Sequence, residues 1–310
     1  MLYREAGDFK TSYPSDSQTF PIRLDRYGYY ALLAVAIGVV PFIINDYWAN
    51  AIVVPFLIYT IAALGLNILI GYCGQLSLRI KGFYLAVATL AAQFFLIWLF
   101  TRTGWFFNHS PTGMISAPER TVFGLAVTGP RATAVSAYLI CLAFLIALAW
   151  LARNLTRGTL GRKWMAIRDM DIAAEIIGVN PLRAKLSAFA VSSFFIGIAG
   201  ALFFAVYLGA AEAGEAFGID KSFLVLFMVI IGGLGSIMGS FLGGAFLVIG
   251  PVMLKLLLVN QLGWSSDLAA HLEIMIIGAL IIVFLILEPH GLTALWRTIK
   301  EKLRLWPFPY

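Results

Sequence analysis

The sequence predicts an all-α, polytopic integral membrane protein with about eight transmembrane segments, some of them broken by glycine. Hydrophobic residues make up 61% of its 310 residues, charged residues only 12%, and the mean hydropathy is +0.89. A soluble domain carries about twice that share of charged residues, so the composition excludes a soluble domain. Apolar runs of about 20 residues, the length that crosses about 30 Å of hydrocarbon, recur along the chain.

Six of the apolar runs are each long enough for one crossing. They comprise residues 28–44, 51–70, 82–100, 132–152, 186–209 and 268–287. Residues 1–27 contain four basic and four acidic residues and no apolar core before a small-residue cleavage site. We therefore expect these residues to form a polar, cytoplasmic N-terminal tail and not a signal peptide.

The seventh run, residues 222–258, is too long for one crossing, because its 37 residues would extend about 55 Å as one helix. Six of its glycines lie close together in the middle part of this run. They are Gly232, Gly233, Gly235, Gly239, Gly243 and Gly244. Since glycine is costly inside a helix, we expect two segments separated around residues 232–240. The alternative for either segment is a re-entrant segment, which returns to the side of the membrane from which it started. Residues 28–290 then form a single transmembrane domain.

The distribution of charge predicts which side of the membrane each connection faces. The formal net charge of +6, from 22 basic and 16 acidic residues, comes mostly from connections between the apolar runs. Basic connections face the cytoplasm, so loop 154–185 and the C-terminal tail, 291–310, are predicted inside with the N-terminus. The acidic loop after residue 209 then faces outward, and the three arginines of loop 101–131 fit the rule less well.

The longest polar interruption in the second half of the chain, residues 160–185, predicts a short amphipathic helix outside the membrane. Its apolar stripe, at steps of three and four residues, comprises Trp164, Ile167, Met170, Ala174 and Ile177. Arg168 lies on the opposite side, and Gly178 and Pro181 end the helix. The apolar stripe needs a second surface: the membrane helices of this chain, the lipid interface or a partner protein. A solvated connector is the alternative.

The sequence contains none of the common catalytic or nucleotide-binding patterns. It has no Gly-x-x-x-x-Gly-Lys-Ser/Thr loop for ATP, its three histidines lack metal-ligand spacing, and no Ser/His/Asp set stands out. We therefore expect no enzyme activity, no cofactor and no metal site. Lys255 and Glu273 lie close enough to the ends of their runs to reach the interface. Because an ion-coupled transporter needs a charge inside the membrane, we expect any energy source outside this chain.

Two short glycine segments echo each other. Ile70-Gly71-Tyr72-Cys73-Gly74 and Ile231-Gly232-Gly233-Leu234-Gly235 share the pattern Ile-Gly-x-x-Gly, each at the end of an apolar run. Paired glycine-interrupted segments often line the pathway in transporters built from two related halves. Close helix packing through small residues is the alternative.

Four motifs, in this order, resemble the LivM-type permease family of branched-chain amino acid importers. They are residues 71–78 (GYCGQLSL), 81–90 (KGFYLAVATL), 166–168 (AIR) and 232–239 (GGLGSIMG). The loop that contains the third motif is similar to the cytoplasmic EAA-type loop of ABC importer permeases, with Ile172 where the general pattern has Glu. The resemblance extends over about residues 29–291.

The resemblance implies an all-helical permease in the bacterial cytoplasmic (inner) membrane. The implied partners are a second related permease, two cytoplasmic ATPase subunits, an extracytoplasmic solute-binding protein and the lipid bilayer, with no nucleic acid. The residues implied to couple the permease to the ATPase are Trp164, Ala166, Ile167, Arg168, Asp169, Ile172, Ala173, Ala174 and Gly178. The candidate residues of the translocation path are Asn67, Gly71, Gly74, Gln75, Ser77, Tyr84, Thr89, Gly232, Gly233, Gly235, Ser236 and Gly239.

One departure from the family is large. Relatives have about two further membrane segments between the motifs at 71–78 and 81–90, whereas here Leu78 is followed directly by Arg79. A shortened, non-transporting remnant of the permease is therefore one alternative, and an ion-coupled secondary transporter or channel is another. The segment at residues 110–115 replaces a Gly-rich extracytoplasmic segment, where we expect either a contact with the binding protein or an ordinary turn-rich loop.

Overall fold

The structure is a computed structural model that describes residues 23–74, 83–106, 109, 114–122, 124–129, 132–212, 216–261, 263–287 and 291–305. It is mostly helical. The helices are α1 (Arg23–Gly38), α2 (Val40–Ile43), α3 (Asp46–Tyr72), α4 (Phe83–Arg102), α5 (Ala134–Arg157), α6 (Thr159–Asp169), α7 (Asp171–Ile176), α8 (Pro181–Leu208), α9 (Ile219–Gly232), α10 (Ile237–Gln261), α11 (Ser266–Leu287) and α12 (Leu292–Leu305). The strands are β1 (Ile115–Ser116), β2 (Arg120–Val122), β3 (Leu125–Thr128) and β4 (Ala210–Ala211).

Within the described ranges, five helical segments are long and apolar enough to cross a membrane. They are Arg26–Ile43, Asp46–Tyr72, Ala134–Arg157, Pro181–Leu208 and Ile237–Gln261. Three of these segments contain π-helical turns: Ala49–Val53 and Ile68–Tyr72 in α3, Phe203–Leu208 in α8, and Ala245–Ile249 and Leu257–Gln261 in α10. The chain is therefore a multi-pass helical membrane protein.

Helix α3 lies at the centre of the bundle and contacts α5, α8, α9 and α10. It is apolar on all sides, and a helix with no polar face is stable only when other helices or lipid surround it. Ile58, Ile61, Leu64 and Ile68 are among its fully buried side chains. At Gly65 an added Cβ would lie 2.7 Å from the Cβ of Phe195 in α8. The absence of a side chain at Gly65 thus allows the two central helices to approach closely.

The strands lie at one end of the bundle, and the short helices α6 and α7 lie at the other end. β1 pairs with β4 in an antiparallel ribbon, β2 pairs with β3, and Ile115 lies opposite Ala211. α5 begins shortly after β3, and α8 ends shortly before β4, so the ribbons mark one end, which we call the β end. α6 and α7 connect the other ends of α5 and α8, and we call this end the loop end.

Three segments differ from the sequence prediction. The amphipathic segment forms two helices instead of one, because the backbone is extended at Met170 (φ −154°, ψ 99°). The glycine break in the seventh run is shorter than predicted, since α9 ends at Gly232 and α10 already begins at Ile237. The segment predicted as a C-terminal tail contains α12, a helix of 14 residues.

Candidate functional site

Arg168 is held in place by the attachment of α6 to the membrane helices. Trp164 and Ile167, on the apolar side of α6, are buried in the main hydrophobic core. The indole Nε1 of Trp164 donates a hydrogen bond of 3.0 Å to Ser187 Oγ in α8. A buried indole with its polar atom satisfied fixes the orientation of the helix as well as its depth. The apolar stripe of α6 therefore packs on this chain's own helices.

The guanidinium group of Arg168 contacts both glycine segments. Its Nη1 donates a hydrogen bond of 3.0 Å to the carbonyl oxygen of Gly71, at the end of α3. A Cβ added at Gly74 would lie 2.7 Å from Arg168 Cγ, and one added at Gly235 would lie 3.1 Å from Nη1. Arg168 also pairs with Asp169 at 2.9 Å, an exposed ion pair of small energetic value. A cation at a helix C-terminus is favourable, so this contact stabilises the end of α3.

Asn67 joins α3 to the break between α9 and α10. Its Oδ1 accepts a hydrogen bond of 2.9 Å from the backbone N–H of Gly235. Its Nδ2 donates to the carbonyl oxygen of Ser236 at 2.7 Å and to Ser240 Oγ at 3.0 Å. The residue is only 1% exposed, and both donors of its amide group and its acceptor have partners. The side chain of Asn67 thus replaces part of the helical hydrogen bonding that the glycine break interrupts.

Glycine is required at the break because backbones meet there. Gly233 (φ +113°) and Gly235 (φ +75°) have backbone conformations that L side chains rarely adopt. A Cβ at Gly71 would collide with the Asn67 side chain and lie 3.0 Å from the Cα of Gly235. A Cβ at Gly239 would lie 2.6 Å from the carbonyl oxygen of Gly233. α9 and α10 therefore form a hairpin whose two backbones are in direct contact.

Nine of the predicted site residues come together at the loop end. They are Asn67, Gly71, Gly74, Arg168, Gly232, Gly233, Gly235, Ser236 and Gly239. We call this group the glycine cluster. Ser236 begins α10, where its Oγ accepts a hydrogen bond of 3.2 Å from the backbone N–H of Gly239. Gln75 and Ser77 lie outside the described residues, as do the side chains of Tyr84 and Thr89, whose backbone belongs to α4.

Among the other predicted coupling residues, Trp164, Ala166, Ile167 and Asp169 lie in α6, whereas Ile172, Ala173, Ala174 and Gly178 lie in or just after α7. Ala174 is buried, whereas Ile172 and Ala173 are exposed. Gly178 follows α7 with a φ of +89°. Met170 and Ile177, which belong to the predicted apolar stripe, are not covered by this chain, since they are 70% and 75% exposed. The extended backbone at Met170 interrupts the helical periodicity, so α7 presents a different face to the bundle.

An exposed aliphatic surface results on the loop end. Met170, Ile172, Ile176 and Ile177 form it, and we call it the α7 surface. Clustered exposed aliphatic side chains at a solvent-facing loop indicate a contact site for another molecule.

Cys73 lies beside the glycine cluster and is fully buried. Burial raises the pKa of its thiol to about 11, although the positive charge of Lys185 opposes this effect. Because the thiolate is the reactive form, the thiol of Cys73 reacts slowly near neutral pH as long as the cluster stays closed.

Two cavities near the β end were not predicted from the sequence. One of about 530 Å³ is lined by Tyr59, Tyr207, Glu212 and Lys221, among others. A second of about 290 Å³ shares Tyr59 and Lys221 with it and extends along α3 and α8. Among the described residues, Glu212 and Lys221 form no ion pair. The sequence signal was weak, because Glu212 belongs to a predicted acidic loop and Lys221 precedes an apolar run.

No group of three His, Cys, Asp or Glu residues in the described part of the chain is arranged to hold a metal ion. The site thus consists of a closed, tightly packed cluster at the loop end and open cavities near the β end.

The family described as branched-chain amino acid transport system / permease component matches residues 78–285, which include Arg168 and the α9–α10 hairpin. The chain belongs to this family. The resemblance to LivM-type permeases is thereby confirmed. No solved structure matches this chain.

Curated relatives of the chain include the high-affinity branched-chain amino acid transport system permease protein LivM of Salmonella typhimurium and that of Escherichia coli. Each is 29% identical over 244 residues, which cover 71% of this chain and 53% of the relative. The autoinducer 2 import system permease protein LsrC of Klebsiella pneumoniae is 26% identical over 209 residues, 66% of this chain and 56% of the relative. The chain spans about half the length of the curated relatives it matches.

Proposed function

We propose that the chain is the transmembrane permease subunit of an ATP-binding-cassette importer that moves branched-chain amino acids, or similar small amino acids and amides, into the cytoplasm. The observation that carries the proposal is the contact of Arg168 with both glycine segments. A residue of the loop predicted to bind the ATPase thereby touches the two segments predicted to line the path. A movement of α6 has a direct mechanical route to the path.

The α7 surface supports an ATPase partner. Its aliphatic side chains lie on the same loop as Arg168, on the side away from the bundle. α6 is attached to α8 through Trp164 and Ser187. A partner bound to α7 that moves toward or away from the membrane would therefore move α6, and with it Arg168, α5 and α8. The fixed hydrogen bond turns a movement outside the membrane into a movement of membrane helices.

The closed cluster and the open cavities support a conformation that receives solute from the β end. The glycine cluster blocks the loop end with buried, hydrogen-bonded residues. The cavity at the β end has a size typical of ligand sites. Lys221 and Glu212 offer opposite charges to the carboxylate and ammonium groups of an amino acid, and Tyr59 and Phe203 offer apolar surface to its side chain.

The proposed topology has eight crossings with both termini in the cytoplasm. The loop end carries Arg162, Lys163 and Arg183 and is therefore the cytoplasmic end. The β end then faces the opposite side, where the extracytoplasmic binding protein would dock. The implied second permease and the two ATPase subunits complete the assembly.

The first test is purification of the detergent-solubilised chain at native expression, with mass spectrometry of the proteins that accompany it. We expect a second permease and an ATPase. A chain that purifies alone would contradict the importer proposal and favour an ion-coupled transporter or a non-transporting remnant. The junction between Leu78 and Arg79, which suggests a remnant, lies outside the described residues.

The second test separates coupling from assembly. Arg168→Gln removes the charge that contacts Gly71, so we expect ATP hydrolysis to continue while uptake falls by at least tenfold, with normal membrane insertion. Arg168→Lys restores the charge but not the planar group, and we expect partial uptake. Arg162→Gln, on the exposed side of the same helix, serves as the matched control. Equal uptake by Arg168→Gln and Arg162→Gln would exclude the proposed role of Arg168.

A further inference from the structure

Helix α12 has the features of a helix that lies on a membrane surface. It is 14 residues long, about 21 Å, and its sequence contains four basic residues and one acidic residue. It is therefore too short and too charged to cross the bilayer. Leu292, Leu295, Trp296 and Ile299 recur at steps of three and four residues, so they form one apolar stripe.

The first residue of this stripe is the best covered by protein. Leu292 packs against the core cluster that contains Val229 and Ile231 of α9. Leu295, Trp296 and Ile299 are 38%, 50% and 40% exposed. The stripe thus continues from the protein core onto a surface that the described residues cover only in part.

The position of α12 places this stripe at the edge of the hydrocarbon. α12 begins where α9 ends and where α10 starts, and it contacts both helices. α9 ends and α10 begins beside α12, so the stripe lies where the apolar helices of the bundle give way to the loop end. An amphipathic helix at this depth inserts its apolar side among the headgroups and acyl chains.

Basic residues flank the stripe. Lys300 follows Trp296 by four residues, and Lys302 follows Ile299 by three, so the two lysines lie at opposite borders of the stripe. The exposed side chains of Arg297 and Lys302 add positive charge. Lysine side chains at such borders place their aliphatic parts on lipid and their ammonium groups among headgroups. This pattern is complementary to an anionic lipid surface.

α12 is also connected to the glycine cluster. Thr293 Oγ1 donates a hydrogen bond of 2.7 Å to the carbonyl oxygen of Gly232, at the end of α9. A Cβ added at Gly291 (φ +80°) would lie 2.6 Å from the backbone nitrogen of Gly233. A displacement of α12 would therefore remove the hydrogen bond from the last carbonyl group of α9.

We propose that α12 binds anionic lipid headgroups at the loop end and that this binding, through Thr293, stabilises the closed glycine cluster. The occupant of the exposed stripe is the membrane surface itself. The two parts of the proposal, lipid binding and its effect on the cluster, are tested separately on the purified full-length chain.

Lipid binding is tested by thermal unfolding in phosphatidylcholine micelles titrated with phosphatidylglycerol. The test variant is Arg297→Gln/Lys300→Gln/Lys302→Gln. The control variant removes the same charge from exposed positions at the loop end and is Arg162→Gln/Lys163→Gln/Arg183→Gln. We expect phosphatidylglycerol to raise the unfolding temperature of the wild type and the control. The half-maximal concentration should rise about fivefold for each basic residue removed from α12, and about 0.5 M NaCl should weaken the effect.

The same lipid response in both variants would overturn the proposal. A second pair of results would also overturn it: the wild-type chain shows no lipid response, and the α12 variant fails to retain the ATPase. The stripe would then bind a protein partner and not lipid.

The effect on the cluster is tested by maleimide labelling of Cys73 in a Cys141→Ser background. We expect phosphatidylglycerol to slow labelling of this protein severalfold. Thr293→Val keeps the shape but removes the hydrogen-bond donor to Gly232, so it should keep the lipid titration and lose the slowing. Equal slowing with valine at position 293 would show that α12 does not act on the cluster through Thr293.

Discussion

At the scale of single residues, the proposed function rests on one buried amide group and one arginine. Asn67 was predicted from the sequence because polar residues are rare in the apolar runs, and Arg168 because of its place in the loop motif. What the sequence did not reveal is that both side chains meet the same glycines. Such contacts join residues about 100 to 170 positions apart, whereas periodicity and motifs report only on neighbouring residues.

Replacement of Asn67 by leucine should destabilise the protein. Asn67→Leu leaves the N–H of Gly235, the carbonyl group of Ser236 and the hydroxyl of Ser240 without that partner. Each buried polar group left unpaired costs about 1–3 kcal/mol. We expect a lower thermal unfolding temperature in detergent. Asn260→Leu is the control because Asn260 is exposed. Equal unfolding temperatures of the two variants would show that the Asn67 hydrogen bonds do not stabilise the fold.

Two glycine-to-alanine changes should have opposite effects. Gly71→Ala places a Cβ against the side chain of Asn67 and the backbone of Gly235, so the helix end must shift, at a cost of about 1–3 kcal/mol. Gly197→Ala, in α8, meets no atom within 4 Å and should stabilise the helix by up to about 1 kcal/mol. The measurement is the thermal unfolding temperature of each variant. An unchanged unfolding temperature of Gly71→Ala would show that α3 and the break between α9 and α10 separate easily.

At the scale of elements, the loop between α5 and α8 shows what amphipathic periodicity predicts and what it misses. Trp164, Ile167 and Ala174 are buried as the stripe predicted. The break at Met170 was missed because a single extended residue does not change the three- and four-residue spacing of apolar residues in the sequence. Met170 and Ile177 of the stripe are exposed, and the sequence had left open which surface covers them. We propose that this surface belongs to another protein.

The end of α7 provides a test at this scale. Gly178 has a φ of +89° and open space around its Cα, so Gly178→Ala introduces backbone strain without a collision. The strain is about 1–2 kcal/mol, and asparagine tolerates this conformation better. We expect faster limited proteolysis of the loop in Gly178→Ala and near-normal proteolysis in Gly178→Asn. Identical proteolysis of all three proteins would contradict a strained turn.

At the scale of the whole molecule, composition alone predicted the membrane class, and hydropathy located the five described helical segments that are long enough to cross. The two ends of the bundle were harder to predict. The ribbon of β1 and β4 joins segments about 95 residues apart in the sequence, and strands of two residues have no detectable alternation. The cavities beside this ribbon depend on that pairing and were therefore not predicted.

The orientation of the two ends is testable with single cysteines in a background of Cys73→Ser/Cys141→Ser. We expect a membrane-impermeant maleimide, added to intact cells or spheroplasts, to label Ser116→Cys at the β end but not Arg183→Cys at the loop end. Permeabilisation should expose Arg183→Cys as well. Labelling of Arg183→Cys in intact cells would reverse the proposed topology and place the α7 surface on the wrong side for an ATPase.

The contact between α9 and α10 has a consequence for biosynthesis. α9 has 14 residues and a length of about 21 Å, less than the hydrocarbon thickness of about 30 Å. While α9 is the last helix to have emerged from the ribosome, it is therefore too short to be inserted stably across the bilayer by the translocon. Once α10 follows, the two backbones meet at Gly232 and Gly239. We expect the hairpin to be released into lipid as one unit, so that truncation of the nascent chain between these helices leaves α9 uninserted.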